Sequence, residues 1–98
     1  MSADSVEVRK DMGVTHADCR RILPAVTPEV ELQWHGSIAV ARWPGRELEV
    51  RLGPEERRAI ASLSLPRTEI TLRFTGFSPA QRESLLQVFD RRFQRGGG

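Results

Sequence analysis

The chain has 98 residues, of which 39% are hydrophobic and 29% charged, and its formal net charge is +2. These values are typical of one small globular domain and exclude a disordered chain. No apolar run approaches the roughly 18 residues that a transmembrane helix requires, so we expect no membrane association. Residues 1–11 lack the apolar core of a signal peptide, and Cys19 is the single cysteine. We therefore expect a cytoplasmic protein without disulfides.

Arginine dominates the basic side chains, because Lys10 is the one lysine among 15 Lys and Arg residues. Tyrosine and asparagine are absent from the chain. Lysine, tyrosine and asparagine all have AT-rich codons, so we infer a GC-rich bacterial coding sequence. This explains the arginines without a nucleic-acid ligand.

The first segment, residues 1–11, is polar and predicts a disordered lead-in. The alternation of Val6, Glu7 and Val8 leaves an added edge strand as the alternative. We predict a single α+β domain over residues 12–95. The glycines at 96–98 predict a flexible tail.

The first predicted helix begins after Thr15, which is a typical N-cap residue. Asp18 stands three residues later, where its carboxylate completes a capping box and faces the positive end of the helix dipole. Pro24 lacks a backbone N–H and disfavours helical backbone at the residue before it. The helix is therefore predicted to end near Leu23.

Three short segments follow and predict an antiparallel meander. Residues 30–35 and 47–52 alternate apolar with polar side chains, and residues 38–43 between them are apolar except for Arg42. Turn-forming residues separate the segments at Gly36 and again at Pro44.

A second helix, a fourth strand and a third helix complete the predicted order. Pro54 and the two glutamates after it predict a helix start, and Pro66 predicts its end. Residues 70–75 alternate and predict a strand, and Ser78 with Gln81 predicts the capping box of the last helix. The predicted fold class is α+β, a two-layer sandwich of a three-stranded antiparallel meander plus a fourth strand, in the order α-β-β-β-α-β-α. Whether the fourth strand neighbours the third or the first stays open.

Catalytic and metal-binding patterns are sparse. His16 and Cys19 lie three residues apart, which makes a small enzyme with Cys19 as nucleophile one alternative. The apolar neighbours Ile22 and Leu23 favour a core position for that thiol. No phosphate-binding, dinucleotide-binding or serine-hydrolase motif is present, and a zinc site would need His35 and scattered carboxylates as further ligands. We predict no catalysis, no cofactor and no metal.

The central segment, residues 38–43, carries the main functional expectation. If Ile38 and Val40 face the helices, the opposite face of the sheet is partly apolar. That face is a candidate partner-binding surface with one aromatic anchor and arginines at its rim, composed of Ala39, Ala41, Trp43, Arg51 and Arg73. Two alternatives remain open: the first helix covers this face, or Trp43 marks the end of the strand without a role.

Nucleic-acid binding is the second functional class. Arginines cluster at the end of the last helix, at Arg91, Arg92 and Arg95. Carboxylates on the predicted outer face would repel phosphates there: Glu31, Glu47, Glu49 and Glu69. The leading prediction is a small non-catalytic bacterial accessory or regulatory protein that associates with a protein partner or with itself. An arginine-based module for RNA or single-stranded DNA is the alternative.

Overall fold

Six strands and two helices make up residues 5–96, the part of the chain that the computed structural model describes. The elements are β1 (Ser5–Met12), α1 (His16–Val26), β2 (Gln33–His35), β3 (Ile38–Trp43), β4 (Arg46–Leu52), β5 (Glu56–Ile60), β6 (Leu63–Thr75) and α2 (Pro79–Gly96). All strand pairs are antiparallel. The protein is thus a small α+β domain, and within residues 5–96 no helix is long and apolar enough to cross a membrane.

The strands form one sheet in the order β1-β6-β4-β3-β2, and β5 pairs with β6 outside that path. The predicted meander is present as β2, β3 and β4. The predicted fourth strand is β6, which lies between β4 and β1. This answers the question of strand order that the sequence left open.

Residues 5–12 are an ordered edge strand, so the predicted disordered lead-in is wrong for residues 5–11. Val8 faces Leu72 and Val6 faces Phe74 across the pair of β1 and β6. The short alternation in the sequence therefore reflects real pairing. Residues 1–4 lie outside the described part, as do residues 97 and 98 of the predicted tail.

The capping box of α1 is confirmed. The Asp18 amide donates to the Thr15 hydroxyl at 3.0 Å, and the Thr15 amide donates to the Asp18 carboxylate at 3.1 Å. The latter bond is the main cause that lowers the pKa of Asp18. The predicted end near Leu23 is wrong by one turn, because the helix continues through Pro24 to Val26. Proline in a last turn removes one helical hydrogen bond, and buried Val26 packs in the core.

The predicted helix after Pro54 is absent. Residues 56–60 form β5, and residues 63–67 form the first part of β6. Leu52 faces Ile70 and Glu56 faces Arg67. Three residues (53–55) lie between the first members of these pairs and two (68 and 69) between the second members, so the chain has one extra residue on one side, which is a β-bulge. β5 therefore extends the hairpin that β4 begins with β6, and this strand pairing overrides the local helix signals.

The buried face of β3 is the opposite of the predicted one. Ala39 and Ala41 have 0% exposure, because Ala39 faces Val50 and Ala41 faces Leu48 across β3 and β4. Those alanines belong to the same buried cluster as the apolar residues of both helices. Ile38 and Val40 consequently point to the face that carries most of the charged side chains.

The last helix matches its prediction. The Ser78 hydroxyl accepts from the Gln81 amide at 3.1 Å, and the Ser78 amide donates to the Gln81 side chain at 2.9 Å. Phe89 and Phe93 are buried, with stacked rings whose centroids lie 4.3 Å apart. α2 thus contributes its aromatic stripe to the core, and its neighbouring side chains border a groove.

Candidate protein-binding groove

A groove of about 590 Å³ opens between the C-terminal end of α1 and the length of α2. This size lies within the range of small-ligand and peptide side-chain pockets. Its walls are mostly apolar and its edges are mostly basic. Its lining includes Val26, Glu29, Trp43, Arg46, Phe77, Leu85, Val88, Arg91 and Arg92.

Two aromatic rings form the floor of the groove. Trp43, at the end of β3, meets Phe77 edge to face with centroids 5.6 Å apart, and Phe77 packs in turn on buried Phe74 at 5.0 Å. The Trp43 indole N–H donates to the Glu29 carboxylate at 3.2 Å. The floor is therefore anchored to the core on one side, while Trp43 and Phe77 stay half-buried.

Arg46 lies beside the aromatic floor. Its guanidinium carbon is 5.1 Å from the ring centroid of Trp43 and 5.1 Å from that of Phe77. Both distances fall within cation–π range, so the two rings restrict the position of the side chain. A positive charge is thus held at the edge of an apolar surface.

The rim of the groove carries an excess of positive charge. Arg91 and Arg92 are exposed on α2. Together with Arg46 they place three positive charges in the lining of the groove, against one negative charge, that of Glu29. The two α2 arginines lie toward the negative end of the helix dipole, which stabilises cations there. The groove therefore combines apolar walls with a basic rim.

The structure separates the residues of the predicted partner-binding surface. Ala39 and Ala41 have no exposed area, and Trp43 lines the groove on the same side of the sheet. Arg51 and Arg73 lie on the opposite face, where Arg51 pairs with Glu49 and Arg73 stands between Glu7 and Glu49 in neighbouring strands. These arginines therefore do not rim the surface around Trp43.

The groove joins residues from two separate expectations. Trp43 comes from the predicted protein surface, while Arg91 and Arg92 come from the nucleic-acid alternative. The side chain of Arg95 lies outside the described part of the chain. Sequence reasoning missed Phe77 and Arg46. Their signals were available: Phe77 is a lone aromatic just before the N-cap Ser78, and Arg46 faces Trp43 across a two-residue turn.

Cys19 and His16 have different surroundings in the fold. Cys19 has 0% exposure, and burial raises the pKa of its thiol to about 11. His16 donates from Nε2 to the Gly53 carbonyl oxygen at 2.6 Å. Within residues 5–96 no cluster of three or more His, Cys, Asp or Glu residues could hold a metal ion. These are the properties of a core thiol and of a histidine that ties α1 to the β4–β5 junction.

Comparison of the chain with protein-family models, with curated proteins and with solved structures finds no match.

Proposed function

We propose that this protein is a non-catalytic bacterial accessory module that binds an acidic, partly apolar segment of a protein partner in the groove above Trp43. The observation that carries the proposal is the half-buried Trp43–Phe77 floor with three arginines at its edges. In this proposal the domain is a cytoplasmic two-layer sandwich, with both helices on the sheet face of Ala39 and Ala41.

The apolar walls favour a protein segment over a nucleic acid. The half-buried Leu85 and Val88 offer surfaces to aliphatic side chains, which nucleic acids lack. Aromatic and arginine side chains dominate the energetics of protein interfaces, and Trp43 with Arg46 supplies both at one point. The Glu29 carboxylate would repel a phosphate at the floor of the groove, whereas an acidic peptide can place its carboxylates near the α2 arginines instead.

Selection from a phage-displayed random-peptide library tests the proposal. We expect the purified protein to enrich peptides that combine Asp or Glu with Leu, Ile or Phe. Binding of a synthetic selected peptide, measured by fluorescence anisotropy, should weaken about tenfold or more in an Arg91→Gln/Arg92→Gln double variant, since two charge pairs are lost.

An Arg51→Gln/Arg73→Gln variant is the matched control. It removes the same charge from the opposite face of the sheet, so peptide binding should stay unchanged. Enrichment of peptides without acidic residues, or equal losses in both variants, would contradict the proposal. Displacement of the peptide by single-stranded DNA or RNA homopolymers, with steep salt dependence, would favour the nucleic-acid alternative.

A further inference from the structure

The distal hairpin of β5 and β6, residues 56–67, projects from the rest of the molecule; we call it the arm. Every residue from Pro54 to Leu65 is exposed. β5 pairs with β6 along one edge and with no other described strand along the second edge. At about 3.3 Å per residue, five residue pairs extend some 15 Å, consistent with a molecule measuring 50 × 26 × 24 Å.

The root of the arm is held firmly, which fixes its direction. The Gly53 amide donates to the Glu69 carbonyl oxygen at 2.8 Å, and the His16 amide donates to the Glu55 carboxylate at 2.8 Å. On the other strand, the buried Thr68 hydroxyl donates to the Val14 carbonyl oxygen at 2.8 Å. The projection is thus part of the fold rather than a loose loop.

The arm leaves three large apolar side chains exposed. Ile60, Leu63 and Leu65 are 54%, 62% and 46% exposed, and they share one face of the arm with Arg58. A two-stranded ribbon is marginally stable alone in water, and a free strand edge is a template for further pairing. The free edge of β5 is therefore suited to a third strand.

We propose that this third strand is β5 of a second copy of the chain, paired antiparallel about a two-fold axis at Arg57. The argument is the charge order along the edge. With Arg57 at the axis, Glu56 of each copy stands directly opposite Arg58 of the other, so that two opposite-charge pairs form across the interface.

Symmetry and the neighbouring strands select this register. Facing residues of an antiparallel pair have their side chains on the same face of the sheet. A two-fold axis between two identical strands must therefore pass through a pair in which one residue faces its own copy. An axis at Glu56 would place Ile60 opposite Leu52, whose amide already donates to the Ser37 carbonyl oxygen at 2.9 Å. An axis at Arg58 would bring the two Arg58 side chains together and remove both Glu–Arg pairs.

The register at Arg57 carries one cost. The two Arg57 side chains meet on the opposite face of the ribbon, where both are exposed to solvent that screens their repulsion. This self-association is independent of the proposed peptide groove, because Phe77 follows the C-terminal end of β6 whereas the arm contains its N-terminal end.

A charge swap followed by sedimentation equilibrium over a range of concentrations tests the proposal. We expect the wild-type chain to form dimers. Glu56→Arg and Arg58→Glu should each weaken the dimer about tenfold or more, because each variant makes both cross-strand pairs repulsive. An equimolar mixture of the two variants should form heterodimers. In such a pair, one chain is basic at positions 56 and 58 and the other is acidic at both, so both cross-strand pairs become attractive again.

The matched control is Glu83→Arg, an equal charge change at an exposed position on α2, which should leave the dimer intact. A wild-type chain that stays monomeric, variants that dimerise normally, or a mixture that does not associate would each overturn the proposal. The mixing result separates it from misfolding, because unfolded variants would not complement each other. Circular dichroism of each variant provides the same check.

Discussion

Gly45, in the β3–β4 turn, and Gly76, after β6, share a backbone angle but have different surroundings. Gly45 and Gly76 both have φ of 78°, in the left-handed region that favours glycine. A Cβ at Gly45 would meet no heavy atom within 4 Å, whereas a Cβ at Gly76 would overlap the Gly45 carbonyl oxygen. Gly76 therefore allows the connection into α2 to approach the turn that carries Trp43.

Alanine at each of these positions separates backbone strain from steric overlap. Gly45→Ala should cost about 1–2 kcal/mol of unfolding free energy, the cost of a left-handed residue with a Cβ. Gly76→Ala should cost clearly more, because its Cβ also displaces backbone. Urea unfolding of both variants measures the difference. Equal losses would show that the close approach in the structure is relieved without cost.

The Cys19 thiol is protonated at neutral pH, and its ionisation at alkaline pH should lower the unfolding free energy of the protein. The folded-state pKa of about 11 lies above the ordinary value of 9.0, so the stabilisation is complete below pH 9 and is lost as pH rises through 11. The chain has no tyrosine and a single lysine, so few other groups titrate there.

We expect the urea midpoint of the wild-type chain to fall between pH 9 and 11, and that of Cys19→Ala to fall less. Thiol labelling at pH 7 should be slow in the native protein and fast in urea. Rapid labelling of the folded chain would instead place Cys19 on the surface and support a nucleophilic role.

At the scale of elements, the N-termini of both helices could be predicted because their capping chemistry is local. Thr15 with Asp18, and Ser78 with Gln81, satisfy backbone amides within three residues. The segment after Pro54 carries similar local signals, yet its backbone pairs with residues up to 11 positions away, from Glu56 to Arg67. A single-sequence pattern does not contain that choice between local and distant partners.

The buried face of β3 is predictable from the length of the β3–β4 turn, whereas hydrophobicity alone indicates the wrong face. The two-residue turn at Pro44 and Gly45 makes Trp43 face Arg46, and this places Ala41 opposite Leu48. Counting from the turn gives the buried face directly. The alanines face the core, where their small side chains permit close packing, and the larger Ile38 and Val40 lie on the other side.

The candidate site was predictable in its parts rather than as a unit. The sequence indicated Trp43 as an aromatic anchor for a protein partner, and Arg91 with Arg92 as part of a basic cluster for nucleic acid. Their meeting at one groove depends on how α2 packs beside the end of α1, which is a tertiary property. Arg46 acquires its role only from the two rings that it contacts.

At the scale of the whole molecule, the two proposed surfaces lie at opposite ends of β6. A dimer joined through the arms would therefore carry two grooves, one at each distal end. Two linked sites raise the effective concentration for a partner with repeated acidic segments or for partners fixed to a surface. Dimerisation would then strengthen capture without changing the affinity of a single groove.

Removal of the arm tests this division of roles. Replacing residues 57–66 with Asn-Gly would close a two-residue turn between Glu56 and Arg67, which already face each other. The removed residues are exposed apart from half-buried Pro66, so the unfolding free energy should change by no more than about 0.5 kcal/mol.

The truncated chain should sediment as a monomer and bind a selected peptide in solution with the wild-type dissociation constant. On a surface with dense immobilised peptide, it should dissociate faster than the wild-type dimer, because avidity is lost while the groove is intact. A truncated chain that unfolds, or that binds the free peptide weakly, would show that the arm supports the groove. Equal dissociation of both chains from the dense surface would show that the two grooves of a dimer do not act together.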